Sequence, residues 1–533
     1  VRQHRSLHHR TLRLLASLLL VSALGASLTG AGPAPAPGAP TPLGDVIPAP
    51  ASVDPGGSPY RITEHTRIRV DGSHDARRVG DHLADVLRPS TGYRLPVTAH
   101  GDGGIRLRLA KGPYGDEGYR LDSGRGGVTI TAARPAGLFH GVQTLRQLLP
   151  AAVERDSVQS GPWLVAGGTI KDTPRYGWRG AMLDVSRHFF SVGEVKRYID
   201  QLALYKFNKL HLHLSDDQGW RIAVDSWPRL TTYGGSTEVG GGPGGYYTKA
   251  DYKEIVRYAA SRHLEVVPEI DMPGHTNAAL ASYAELNCDG VAPPLYTGTA
   301  VGFSSLCVPK EITYDFVDDV VREIAALTPG RYLHIGGDEA HSTSHEDYVT
   351  FMDRVQPVVA KYGKKVVGWH QLTGATPAKG ALAQYWGLDG TGQAEKEQVA
   401  AAARNGTGLV LSPADRIYLD MKYDAQTPLG LSWAGYVDVR RSYDWDPGAY
   451  LPGAPASAVR GVEAPLWSET LENSRHIEYM AFPRLPGVAE LGWSPRATHG
   501  WDGYRQRLAA QGPRWEALGI GYHRAPEVPW PAQ

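Results

Sequence analysis

The stretch Tyr332-Leu-His-Ile-Gly-Gly-Asp-Glu339, together with residues 312–327 before it, carries the fold in miniature. In residues 312–327 the side chains of Phe316, Val317, Val320, Val321 and Ile324 fall on one face at helical spacing. The short apolar run 332–335 then reads as a buried strand, two glycines end it, and two carboxylates follow at once. Working outward, the same unit recurs. Apolar runs at 180–185, 209–214, 264–270, 332–335, 365–368, 381–385, 408–411 and 461–466 make eight candidate strands, with helical patterns between several of them. Such alternation implies parallel strands joined by crossover helices. Eight of them over about 330 residues predict a (β/α)₈ TIM barrel, with a doubly wound sheet as the alternative. The two differ in where polar residues gather: at many strand ends in a barrel, at one crevice in an open sheet.

Upstream, residues 49–171 alternate short β-like runs at 67–70, 105–109 and 128–131 with Gly-rich turns. A helix at 137–149 carries Leu138, Val142, Leu145 and Leu149 on one face and stops at Pro150. This predicts a smaller α+β domain over 45–171 before a catalytic domain at 172–533, the whole being α/β in class. Asp116 and Glu117 in the smaller domain read as turn and surface residues. Further upstream, Arg2, Arg5, Arg10 and Arg13 precede an apolar run at 14–24, then small residues and a Pro/Ala-rich stretch to about residue 44. That is the pattern of a secretory signal peptide, so a secreted, extracellular protein is expected. In an exported chain a short-range disulfide between Cys288 and Cys307 is the simplest reading, with two free thiols as the alternative. Two cysteines without finger-spaced histidines supply too few ligands for a metal site, so neither metal nor cofactor is expected.

Lys plus Arg and Asp plus Glu stand at 55 each, so no net field favours nucleic acid or an anionic surface. Against only 8 Phe, the 13 Trp and 27 Tyr favour aromatics with a polar edge, which suits sugar stacking as well as ordinary packing. The candidate strands end in reactive text: Asp184-Val-Ser-Arg187-His188, His213-Leu-Ser-Asp216-Asp217, Glu269-Ile-Asp271-Met-Pro-Gly-His275, His334-Ile-Gly-Gly-Asp338-Glu339 and Trp467-Ser-Glu469. For any one Asp a helix N-cap is an equal explanation. For five strand ends together, one shared polar pocket is the economical account.

These strings resemble, in order, the strand-end motifs of the family 20 glycoside hydrolases, the β-N-acetylhexosaminidases. The resemblance covers everything after about Pro174, and the preceding domain is similar to the non-catalytic domain such enzymes carry. It implies an exo-acting, retaining hydrolase that removes terminal β-linked N-acetylglucosamine or N-acetylgalactosamine, the sugar's own acetamido oxygen attacking C1 to give an oxazolinium ion. Breaking the bond needs an acid to protonate the departing oxygen, and Glu339 is the candidate, with Asp338 beside it to raise its proton affinity. By the same resemblance Asp338 would hold the acetamido N–H, Tyr418 would donate to the attacking carbonyl oxygen, and Asp216 and His275 would support Glu339. Trp369, Trp386 and Trp467 would wall the acetamido group and sugar face, and Trp433 would line the same cup. Arg187 would bind the 3- and 4-hydroxyls, Asp420 and Glu469 the 4- and 6-hydroxyls. His213 and His334, inside apparent strands, read as structural.

The expected partners are N-acetylhexosamine-terminated oligosaccharides, chito-oligosaccharides and other glycans, with chitin degradation as a setting; no nucleic acid and no membrane span of the mature chain are expected. An endo-acting glycosidase would need an open aromatic cleft, a sugar-binding protein would need no acid, and a metal-dependent hydrolase would use the same carboxylates and histidines as ligands. The Gly/Pro-rich insertion at 427–458 has no legible role beyond a position that suits the leaving-group side. The sequon Asn405-Gly-Thr407 arises easily by chance.

Overall fold

All eight predicted strands form, and they close. In this computed structural model, which describes residues 39–101 and 104–532, they run Trp178–Asp184, Lys209–His213, Glu265–Glu269, Tyr332–His334, Lys365–Trp369, Leu382–Tyr385, Gly408–Leu411 and Val459–Leu466. Each pairs parallel with the next, and the last pairs with the first, from Trp178 opposite Gly461 to Leu183 opposite Leu466. The doubly wound alternative is thereby set aside. The candidate signal peptide lies outside the described residues. Among those residues no helix is long and apolar enough to cross a membrane.

Strand alternation sorts the barrel into layers. In the second strand Leu210 and Leu212 join the main apolar cluster, whereas His211 and His213 join a polar network with Glu269. A small apolar layer of Trp178, Val267, Val367, Leu382 and Val410 packs separately from the main core. Barrel interiors are usually filled by branched apolar residues. Here Glu463, His211, Glu269, His334 and Gln384, all at 0% exposure, form a hydrogen-bonded polar interior instead.

The smaller domain is a seven-stranded mixed sheet built from segments between Ser52 and Asp172. It carries two helices where the sequence reading expects one. Pro135–Leu148 corresponds to the predicted helix, while His74–Thr91 was not anticipated. Its signals are present: Ser73 caps the N-terminus by accepting from Ala76 N–H, Val79, Leu83 and Leu87 recur at i, i+4, and Gly92 closes it in the left-handed conformation. Pro89 in the last turn masks the pattern.

Glu117 also departs from expectation. It is no free surface residue: it accepts from Nη1 and Nη2 of the fully buried Arg179 on the first barrel strand, at 3.2 and 2.5 Å, and from the side-chain amide of Asn208. Sequence adjacency cannot show a partner 62 positions away. Asp116, by contrast, is 87% exposed as a side chain.

Candidate active site

At the carboxyl ends of the strands lies a cavity of about 340 Å³. Its acidic floor comes from the fourth strand end. Gly336 and Gly337 turn the chain there, and Gly336 has no substitute: at φ +65° a Cβ would sit 1.7 Å from Asp271 Oδ1. Glu339 itself adopts φ +45° and His275 φ +54°, a left-handed conformation that costs a non-glycine residue about 1–3 kcal/mol and concentrates at functional sites. The strain aims both side chains at one point. One atom each of His275, Asp338 and Glu339 lies within 4.8 Å of the others, with His275 Nε2 at 3.3 Å from Glu339 Oε2 and 3.6 Å from Asp338 Oδ2.

Behind His275 stands Asp216, whose Oδ1 accepts from His275 Nδ1 at 3.1 Å and whose Oδ2 meets Arg187 at 3.1 Å. Burial raises the proton affinity of Asp216, but Arg187 and His275 overcome it and hold the carboxyl well below the usual range. Asp338 behaves oppositely: burial pushes its carboxyl up to about 6, His275 opposing and Glu339 adding to the rise. Asp271 is raised well above its ordinary value, by burial first and then by the charge of Asp338. Its Oδ1 also accepts from Gly337 N–H at 3.1 Å. Asp271 is the residue that sequence reading passed over, although it lies inside a quoted motif, two residues beyond Glu269.

The rest of the cup is aromatic and carboxylate. Trp386, Tyr418, Trp433 and Trp467 line it, with Tyr418 at 5.9 Å from Trp433 and 6.2 Å from Trp467, centroid to centroid. Trp369 differs from the expectation of a fourth wall. It has no exposed surface; its indole N–H donates to Glu269 Oε1 at 2.9 Å and its ring sits 5.7 Å behind Trp467, one layer beneath the cup. Arg187 stacks on Trp467 at 4.8 Å. Asp420 Oδ2 and Glu469 Oε2 are buried oxygens with no hydrogen-bond partner among the described residues, and both carboxyls are raised, by burial first; for Asp420 the charge of Glu469 adds to it. Groups of this kind await donors from a ligand. The rim includes Thr299 and Val301, both from the loop closed by the Cys288–Cys307 disulfide, and the half-exposed Trp433 from the insertion whose role was not legible.

Not every strand-end carboxylate reaches the cavity. Asp184 accepts from the backbone of Ser186, Arg187 and Ser468, joining the ends of the first and last strands and aiming Arg187. Asp217 accepts from Asn277 N–H and Ser304 Oγ. Four trios among the described residues could present three atoms to a metal ion, those of His211, His213, Asp216 and His275 among them. In the two trios that contain Glu269 its carboxylate already accepts from His211 and His213, and in a third Asp216 accepts from His275, bonds that a cation would have to displace.

Comparison with known proteins agrees with this geometry. The glycosyl hydrolase family 20 catalytic-domain model matches residues 176–349 and 341–496, and the domain 2 model of the same family matches residues 44–173. A β-N-acetylhexosaminidase of Cellulomonas fimi is 42% identical over 492 residues, covering 91% of this chain and 97% of that protein. The structure of Streptomyces plicatus N-acetyl-β-hexosaminidase in complex with thio-NAglucal superposes with a TM-score of 0.92 at 81% identity, covering 93% of this chain and 99% of that one. A β-N-acetylhexosaminidase from Streptomyces coelicolor superposes equally well, with a TM-score of 0.92 at 81% identity, over 92% of this chain and all of that one.

Proposed function

The chain belongs to glycosyl hydrolase family 20, and from that premise we propose how its cavity performs the exo-acting, substrate-assisted hydrolysis of terminal β-N-acetylhexosaminides. The observation that carries the reading is the convergence of Asp338, Glu339, Tyr418, Arg187, Asp420 and Glu469 on one cavity. The cavity's 340 Å³ suits one pyranose, and Asp338, Glu339, Asp420, Glu469 and Arg187 all line it.

Glu339 Oε protonates the glycosidic oxygen. The acetamido carbonyl oxygen attacks C1 as the C1–O bond breaks, and that bond's electron pair leaves with the protonated aglycone oxygen. Asp338, as carboxylate, accepts from the acetamido N–H and offsets the charge spreading into the oxazolinium ring; Tyr418 donates to the carbonyl oxygen and fixes its approach. Glu339, now a carboxylate beside His275, then takes a proton from the water that opens the ring at C1, giving overall retention. Trp386 and Trp467 exclude water, with Trp369 backing Trp467. Arg187, Asp420 and Glu469 read the hydroxyls of a terminal sugar. A Glu339 held by an Asp216–His275 pair argues against a binder without catalysis.

The substrates are N-acetylglucosamine- and N-acetylgalactosamine-terminated oligosaccharides, chito-oligosaccharides among them, met outside the cell after removal of the leader. Release of p-nitrophenol from the β-N-acetylglucosaminide and β-N-acetylgalactosaminide, run beside the plain β-glucoside with and without chelator, tests the mechanism. Rapid, chelator-resistant cleavage of the acetamido sugars alone supports it. Cleavage of the glucoside at a similar rate overturns it.

A further inference from the structure

We propose that Glu269 and His213, the latter assigned only a structural place by the sequence, are positioning residues for the acid: they extend the Asp216–His275 pair into a carboxylate–imidazole chain running from the barrel interior to Glu339. The proposal rests on Glu339 being the acid. Glu269, wholly buried on the third strand, accepts from His211 Nε2 at 2.9 Å and His213 Nδ1 at 2.5 Å through one oxygen. Its other oxygen accepts from Trp369 and faces His334 Nδ1 at 3.0 Å. His213 Nε2 then meets Asp216 Oδ2 at 2.6 Å, and Asp216 leads through His275 to Glu339.

Both ring nitrogens of His213 face a carboxylate oxygen. A neutral imidazole has one N–H and would set a lone pair against an anion at the other end, so the ring between Glu269 and Asp216 is an imidazolium. Its environment agrees: burial disfavours the charge, but Glu269 and the hydrogen bond to Asp216 raise the ring well above the usual imidazole range. Charge therefore alternates along the chain, with Glu269 negative, His213 positive and Asp216 negative.

The consequence falls on the proton-transfer step. When Glu339 gives its proton to the departing oxygen, the new carboxylate lies against His275 Nε2. His275 stabilises it as a cation, which requires Asp216 to stay ionised at Nδ1. Asp216 is faced by three cations or cation-formers, His213, His275 and Arg187, and by the charges of Asp217 and Glu469, which oppose ionisation. His275 is faced in turn by Asp216, Asp217, Asp271, Asp338 and Glu339, and Asp271 also lies against His213 and Asp216. Removing the charge of His213 raises the proton affinity of Asp216, so Asp216 is protonated at a higher pH and loosens its hold on His275.

The test is His213→Gln, assayed on two β-N-acetylglucosaminides. A dinitrophenyl leaving group departs with little help from an acid, whereas a methyl leaving group needs the proton. The expected result is a kcat/KM for the methyl glycoside lowered about tenfold or more beyond the loss on the dinitrophenyl glycoside, with the acid limb of the profile moved to higher pH. Equal losses on both substrates with an unmoved profile overturn the proposal, since a structural defect would not distinguish leaving groups. A wild-type enzyme inert on both substrates would instead overturn the reading of Glu339, and this proposal with it. Neutron diffraction from wild-type crystals needs no variant: deuterons on both nitrogens of His213 support the chain, and a bare nitrogen overturns it.

Discussion

Two carboxylates adjacent in sequence take opposite duties in the proposed mechanism, because their surroundings differ. Asp338 is buried to 7% exposure, while the side chain of Glu339 keeps 29% and opens onto the cavity. Glu339→Gln should leave the fold intact and lower kcat/KM on an alkyl glycoside by roughly 10²–10⁴-fold, the usual contribution of a general acid; steady-state assay beside a thermal melt separates the two effects. Asp338 must be ionised to receive the acetamido N–H. Its carboxyl sits near 6 in the free enzyme, so kcat/KM should fall as pH drops through that value. In the bound state the amide N–H favours the anion, so the acid limb of kcat should lie lower than that of kcat/KM. Coincident limbs would place the titration on another group. The sequence placed carboxylates at strand ends but not their directions. Asp184 and Asp338 both close a strand end, yet only the folded structure shows that the first holds backbone amides and the second lines the cavity.

At the scale of elements the strands were legible because parallel strands buried on both faces leave continuous apolar runs. Their ends shifted by no more than two residues. The loops were not, since a loop's path depends on distant partners. The loop from Cys288 to Cys307 shows this well. It is tied by Ser304 to Asp217 and Thr276, by Gly298 to Gln218, and by Ser305 to Thr343, and from there it presents Thr299 and Val301 to the cavity. Its disulfide spans 19 positions, a closure that contributes about 3 kcal/mol by restricting the unfolded chain. Replacing both cysteines by serine should lower the unfolding free energy in urea by about that amount. Because the loop walls the cup and supplies no reacting group, KM should rise more than kcat falls. An unchanged KM would show that the side-chain ties alone hold the wall.

For the whole molecule, the question is why a barrel with a complete cup keeps a second domain. The contact between them is charged and buried: Glu117 of the small domain on Arg179 and Asn208 of the barrel, and Asp172 on Lys206, which also meets Tyr119. Arg179 and Lys206 are essentially unexposed. Neutral composition hid this arrangement, because a count of charges does not show which of them pair in the fold. Burial would raise Glu117, yet Arg179 and the hydrogen bond from His140 drive its carboxyl far below the usual range. A depressed carboxyl contributes stability above its unfolded value and loses it as pH falls toward the folded one. Glu117→Gln leaves Arg179 buried without its anion, and should cost about 3–5 kcal/mol at neutral pH. Glu117→Gln combined with Arg179→Met removes both charges and should recover much of that loss. Urea unfolding at neutral pH and at about pH 4 checks both expectations, because the single variant should lose part of the wild-type's acid sensitivity along with its stability. If the small domain serves only as a support, activity per folded molecule will stay unchanged in both variants. If it sets the first strand, and through it Asp184 and Arg187, the single variant will bind substrate more weakly before it unfolds.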